Sequence, residues 1–105
     1  MRRIAVLTSR GDGPGLNACI RAVAREAFHQ SVKVYGVRWG YRGLINGEID
    51  ELTSRDVGGI LGRGGTFLGT ARCPEFKELQ VRRTAIRQMN QESIERLVVI
   101  GANGS

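Results

Sequence analysis

A short apolar run, Ile4-Ala-Val-Leu7, passes directly into the glycine-rich turn Thr8-Ser-Arg-Gly-Asp-Gly-Pro-Gly15, and a helical apolar stripe begins within a few residues of it. An apolar run closed by polar turn signals describes a strand buried on both faces, the kind found in parallel sheets. Beyond the turn, Ile20, Val23, Ala24, Ala27 and Phe28 recur at helical spacing and form one stripe on a helix beginning near Asn17. Val32, Val34, Tyr35 and Val37 then supply β-branched and aromatic residues for a second strand. A strand, a helix and a strand of this length form a crossover unit, so the two strands should run parallel. The expected fold class is α/β: a partial Rossmann-like parallel sheet with flanking helices.

The rest of the chain extends this pattern. Gly40-Tyr-Arg-Gly-Leu-Ile-Asn-Gly47 reads as a ligand-facing loop, because its glycines recur too often for a stable helix or strand. Residues 56–62 suggest a brief helix and 66–71 a short extended piece. A further helix is expected over 77–91, with Ala85, Ile86 and Met89 inward and Arg82, Arg83 and Arg87 outward. Leu97-Val-Val-Ile100 makes another buried strand and runs into Gly101-Ala-Asn-Gly-Ser105. In an open α/β sheet ligands sit beyond the carboxyl ends of strands, so this ending is the approach to a second ligand turn. Residues 1–105 therefore read as part of one domain cut at a site.

Charge and cysteine content narrow the function classes. The formal net charge is +6, and Lys33 and Lys77 are the only lysines, so arginine, whose planar fork suits phosphate, carries the excess. The basic residues are scattered, with Arg2/Arg3 and Arg82/Arg83 the only adjacent pairs, whereas a nucleic-acid footprint clusters them. No stretch reaches the ~18 apolar residues that a bilayer crossing needs, and the chain is expected to be soluble and cytoplasmic, with neither nucleic acid nor membrane as partner. Cys19 and Cys73 form no metal-ligand spacing and are expected to be free thiols. His29 ends the first helix, with no nucleophile or carboxylate pair beside it, and Trp39 reads as packing.

The first turn is suited to an anion. Glycines let backbone N–H groups approach phosphate oxygens, and the helix that follows contributes a partial positive charge. The spacing is neither a Walker A loop nor the Gly-x-Gly-x-x-Gly fingerprint, since Gly11, Gly13 and Gly15 alternate. On its own the turn is compatible with a phosphate cradle or with an ordinary tight strand-to-helix connection.

Residues 4–17, Gly40-Tyr-Arg-Gly-Leu44, Arg63-Gly-Gly-Thr66, Thr70-Ala-Arg-Cys-Pro-Glu-Phe76 and Val98-Val-Ile-Gly101 occur in an order and spacing that closely resemble the N-terminal part of bacterial ATP-dependent 6-phosphofructokinases. The resemblance covers essentially the whole chain. It implies a two-domain α/β subunit that forms homotetramers and moves a phosphoryl group from ATP, with magnesium, to the 1-hydroxyl of fructose 6-phosphate in glycolysis. It makes Gly11, Tyr41, Arg72, Cys73, Ala102, Asn103, Gly104 and Ser105 the nucleotide contacts, with Arg72 the catalytic cation that neutralises charge on the transferring group. It links Gly104 to the use of ATP rather than pyrophosphate. The proton-accepting aspartate and the sugar-phosphate contacts lie in a motif further along in that family, so this chain alone is expected to be inactive.

Departures from the family pattern qualify these expectations. The second turn is usually Gly-Gly-Asp-Gly-Ser, with the aspartate serving magnesium; here Ala102 and Asn103 stand in it, and a neutral carbonyl suits a hard cation less well than a carboxylate. Arg10 replaces a glycine in the first turn and either strains the backbone or adds a cation beside the phosphates. Arg21 and Arg25, at i and i+4 off the apolar stripe, are either a solvated helix face or, by resemblance, contacts for the effector ADP. Residues 54–59 belong to the same effector site in the family, where Gly59 replaces a common acidic residue. The alternative reading is a non-catalytic nucleotide- or phosphate-binding module that docks onto a complete kinase.

Overall fold

The structure, a computed structural model, describes residues 2–10, 14–60 and 66–101, with Arg10 and Pro14 described for the backbone only. The strands are β1 (Arg3–Arg10), β2 (Lys33–Val37), β3 (Ile49–Leu52) and β4 (Arg96–Gly101). The helices are α1 (Pro14–His29), α2 (Gly40–Asn46), α3 (Ser54–Gly58) and α4 (Leu79–Gln91), with a 3-10 turn at Pro74–Lys77. The strands form one sheet in the order β3-β2-β1-β4. β1 runs parallel to both β2 and β4, as expected, while β3 pairs antiparallel with β2. The sheet is therefore mixed at one edge. The whole connection from β2 to β3, residues 38–48, falls short of the dozen or more residues that a parallel crossover needs.

Alternation along β1 divides the core into two layers. Val6 faces α1 and α3 and packs with Ile20, Ala24, Ala27, Val34, Leu52, Val57, Ile60 and Leu68. Ala5 and Leu7 face the other way and pack with Tyr35, Val37, Leu44, Ala85 and Ile94, beneath α2 and α4. The stripe expected on α1 is thus the buried one. Side chains such as Leu7 and Ile20, fully removed from solvent, each contribute about 1.5–3 kcal/mol through burial. No described helix is long and apolar enough to cross a membrane.

Several local expectations change. Residues 40–47 are a helix closed by a C-cap, not a loop. The glycines there mark close approach rather than disorder: a Cβ on Gly43 would lie 1.5 Å from the Arg38 carbonyl oxygen, and a Cβ on Gly40, at φ +60°, would lie 3.0 Å from that of Thr8. Gly47 then ends the helix in the left-handed conformation. Residues 66–71 form no strand, only a turn in which the Gly69 N–H reaches the Thr66 carbonyl. α1 begins at Pro14, earlier than Asn17, because proline is well suited to a first helical position. α3 begins at Ser54 and ends at Gly58, and Leu61 and Gly62 of the expected helix lie outside the described residues. α4 begins at Leu79 rather than at Lys77, since Glu78 is extended. Ile86 is 57% exposed instead of inward; Gln88 faces α2, donating to the Ile45 carbonyl at 3.0 Å.

In a solvated helix, replacing an internal glycine by alanine gains up to about 1 kcal/mol. At Gly43 the steric contact with Arg38 dominates. Gly43→Ala is expected to lose at least about 2 kcal/mol in urea unfolding, and a neutral or stabilising result would contradict this packing.

Candidate functional site

The strand order creates a switch point. From β1 the chain crosses to β2 on one side, while β4 lies on the other, so the crevice at the carboxyl ends of β1 and β4 is where an open α/β sheet takes a ligand. At that end Arg10 of β1 pairs with Gly101 of β4 through a register irregularity. α1 begins at Pro14, soon after β1 ends at Arg10, so the amino end of the dipole of its 16 residues lies there. Gly11, and the second-turn residues Ala102, Asn103, Gly104 and Ser105, lie outside the described residues, as does Arg63-Gly-Gly65.

The segment 66–73 has no regular structure and is fastened to this end of the sheet by polar contacts. The buried Thr8 hydroxyl donates to the Gly69 carbonyl at 2.8 Å and lies 3.1 Å from the Thr66 hydroxyl. A hydroxyl carries one proton, so Thr66 is the donor in that second contact. Asn17, fully buried in the first turns of α1, donates through Nδ2 to the Ile60 carbonyl at 3.2 Å and accepts at Oδ1 from the Phe67 N–H. Both shoulders of segment 61–65 are therefore tied to α1. The Trp39 N–H donates to the Leu68 carbonyl at 3.0 Å. Trp39 itself is 50% exposed, with its ring so close to Gly69 that a Cβ there would come within 2.8 Å; it packs on one face only.

Arg72 and Cys73 end this segment, and Tyr41 of α2 packs on Phe76 just beyond it. Arg72 is exposed, and its guanidinium makes no hydrogen bond or ion pair with the described residues. Tyr41, from the first turn of α2, stacks on Phe76 at 4.1 Å between ring centroids, and partial burial pushes its hydroxyl up from the ordinary value. Cys73 Sγ donates to Glu75 Oε1 at 3.4 Å. Burial, and then that carboxylate, raise the thiol's pKa, which keeps it protonated and poorly nucleophilic. Cys73 and Cys19 are both free, as the spacing predicts. Glu75 is held below the usual carboxylate range, first by its own backbone N–H and then by the Cys73 thiol and the Arg42 guanidinium. Among the described residues no cluster of three or more His, Cys, Asp or Glu could hold a metal ion.

Arg21 and Arg25 belong to a different place. With Phe28, Ser54, Val57 and Gly58 they line a groove of about 290 Å³ between α1 and α3. Arg21 Nε is buried there without a hydrogen-bond partner among the described residues, an arrangement that costs free energy unless an acceptor arrives. α3 is fixed at its start by a capping box, in which the Thr53 hydroxyl accepts from the Asp56 N–H at 3.3 Å and the Thr53 N–H donates to Asp56 Oδ2 at 2.7 Å. Sequence reasoning reached Arg21, Arg25, Tyr41, Arg72 and Cys73, but not the anchors Thr8, Asn17 and Arg42. A polar residue at the end of a buried strand or in an otherwise apolar first helical turn is the signal that marks the first two.

An α/β unit whose β1 and β4 meet at a switch point, beside a tethered segment carrying an exposed arginine, has the layout in which open α/β sheets take their ligands. The Phosphofructokinase family profile matches residues 3–105, and the chain belongs to the phosphofructokinase family. A curated ATP-dependent 6-phosphofructokinase from Staphylococcus aureus (strain JH9) is 55% identical over 105 residues, which are 100% of this chain and 33% of that relative. The chain thus spans about a third of the length of the curated relatives it matches. Phosphofructokinase from Saccharomyces cerevisiae superposes with a TM-score of 0.89 at 42% identity, covering 94% of this chain and 14% of that one. A pyrophosphate-dependent phosphofructokinase from Marinobacter aquaeolei shares the fold, with a TM-score of 0.77 at 18% identity, over 97% of this chain and 26% of that one.

The capping box yields a titration prediction. Asp56 accepts first from the Thr53 N–H and then from the Thr53 hydroxyl, so its pKa lies below the ordinary 3.8. A depressed carboxylate contributes stability above its unfolded value and loses it as pH falls through the folded one. The Asp56 carboxyl carbon, followed by NMR, should titrate below pH 3.8, and Thr53→Val should raise the midpoint. A wild-type midpoint at or above the ordinary value would show that the box is not formed.

Proposed function

We propose that this chain is the nucleotide-binding part of an ATP-dependent 6-phosphofructokinase, which transfers the terminal phosphoryl group of ATP to fructose 6-phosphate to give fructose 1,6-bisphosphate. The observation that carries the reading is 55% identity, over the entire chain, to relatives bearing that name. The geometry is compatible with it: an exposed arginine, unpaired among the described residues, stands on a tethered loop at the end of the sheet where phosphates are bound by helix termini and backbone N–H groups. In this reading Arg72 is the catalytic cation, Tyr41 and Cys73 border the nucleotide, and Gly11, Ala102, Asn103, Gly104 and Ser105 meet its phosphates. Magnesium, when bound, neutralises phosphate charge. Asn103 is this chain's residue toward it, and its neutral carbonyl holds the cation less firmly than a carboxylate would.

We assign the α1/α3 groove to ADP as effector, with Arg21 and Arg25 taking its phosphates; the like charges at i and i+4 and an Arg21 Nε unpartnered among the described residues support this. Gly59 supplies no carboxylate, so the response should be weak. The complete protein is read as a cytoplasmic homotetramer. The second reading, a non-catalytic nucleotide-binding module, is favoured by Ala102 and Asn103.

The test joins this chain to the carboxyl-terminal two-thirds of the Staphylococcus aureus relative and follows fructose 1,6-bisphosphate in a coupled assay, alongside the chain alone. The hybrid should turn over ATP and the chain alone should only bind it. Arg72→Ala in the hybrid should lower kcat by roughly 100- to 1,000-fold. A hybrid that binds ATP without turnover would favour the binding module, and one that binds no ATP would refute both readings.

A further inference from the structure

Arg42 lies on the exposed side of α2, where a bland reading would make it a solvated cation, and exposed ion pairs usually contribute little. Its contacts are of another kind. Nε and Nη2 both donate to the Arg72 carbonyl oxygen, at 3.0 and 2.7 Å, and Nη2 also meets Glu75 Oε1 at 2.9 Å. The forked guanidinium thus fixes the peptide plane joining Arg72 to Cys73 while holding the carboxylate three residues on. The adjacent residue, Tyr41, stacks on Phe76 at the far end of the same segment. Consecutive residues of α2 therefore grip residues 72–76 at both ends.

The arm that does this is itself immobilised. Leu44 is buried, Gly43 is seated against the Arg38 carbonyl, and the Ile45 carbonyl accepts from Gln88 of α4. Glu75 is in turn oriented by the Cys73 thiol. Cations or backbone donors on the described parts of 66–71 make no comparable contact with the Arg72 carbonyl, so its orientation depends on α2.

We propose that Arg42 is a positioning residue for phosphoryl transfer: its guanidinium, clamped on the Arg72 carbonyl and on Glu75, sets the direction in which the Arg72 side chain enters the site. This rests on the phosphofructokinase reading. The clamp needs the planar fork, which a lysine ammonium does not reproduce. Arg42 touches neither substrate nor reacting atoms, so its loss misdirects Arg72 and leaves substrate affinity in place. Displacements on the order of 1 Å at a reacting centre cost up to about 100-fold.

The experiment uses the hybrid subunit described above, with Arg42→Ala, Arg42→Lys and Glu75→Gln. Arg42→Ala should lower kcat by about 10- to 100-fold with KM for fructose 6-phosphate within about twofold, the pattern of an interaction that matters in the transition state. Arg42→Lys should recover only part of that loss. Glu75→Gln should cost less, because the carbonyl contacts survive. Added guanidinium ion at millimolar concentration should partly restore Arg42→Ala, which a cavity or packing defect would not allow. An Arg42→Ala hybrid with unaltered kcat, or one in which KM rises and kcat does not fall, overturns the proposal. If the unsubstituted hybrid has no turnover, the phosphofructokinase reading fails first and Arg42 has no reaction to serve.

Discussion

The buried carboxamide of Asn17 holds together what the sheet alone would leave apart. It reaches the Ile60 carbonyl on one side of segment 61–65 and the Phe67 N–H on the other, from a helix turn adjoining the glycine-rich segment. A buried amide left unpaired costs about 1–3 kcal/mol, so the contact is specific as well as favourable: α1 docks on the sheet at full stability only with Ile60 and Phe67 held against Asn17. Thr8 repeats the arrangement from β1, through Thr66 and Gly69. Apolar burial fixes where the helices lie, and these two polar side chains fix where the irregular segment lies.

The irregular segment matters because of its position. The chain leaves β1 toward β2 and β3 on one side and only later returns to place β4 on the other, so the crevice at the carboxyl end of β1 is an outcome of topology rather than of any single residue. Segment 66–73 borders that crevice and continues into Arg72 and Cys73, which α2 grips through Arg42 and Tyr41. Hydrophobic layers, buried polar anchors and surface clamp thus form a hierarchy that ends at one exposed guanidinium.

Strands β1 and β2 and helix α1 were legible in the sequence because their apolar periodicity is local and uninterrupted; β4 was legible as a strand but is not the buried one expected, since it lies at the edge of the described sheet with Val99 36% exposed. α2 was not. Its glycines read as helix breakers, whereas two of them allow backbone to pass against Arg38 and Thr8, contacts that exist only once the sheet has formed. β3 carries just two inward apolar residues, Ile49 and Leu52, around exposed Asp50 and Glu51, too short a pattern to signal a strand. Ile86 was misplaced because hydrophobicity alone does not tell which side of α4 meets α2. The residues of the candidate site came from motif resemblance; their anchors are separated by 30 to 61 positions from their partners, beyond the reach of local pattern.

The β1/β4 switch point, with segment 66–73 and Arg72 beside it, is the proposed binding place of the ATP phosphates. Backbone amide NMR shifts during titration of the chain with magnesium and ATP test it most directly. The largest changes are expected at Thr8, Ser9, Gly15, Tyr41, Arg72, Cys73 and Gly101, with little at Arg2 and Glu95 near the opposite end of the sheet. Shifts confined to Arg21, Arg25 and Ser54, or concentrated at the amino ends of the strands, would contradict it.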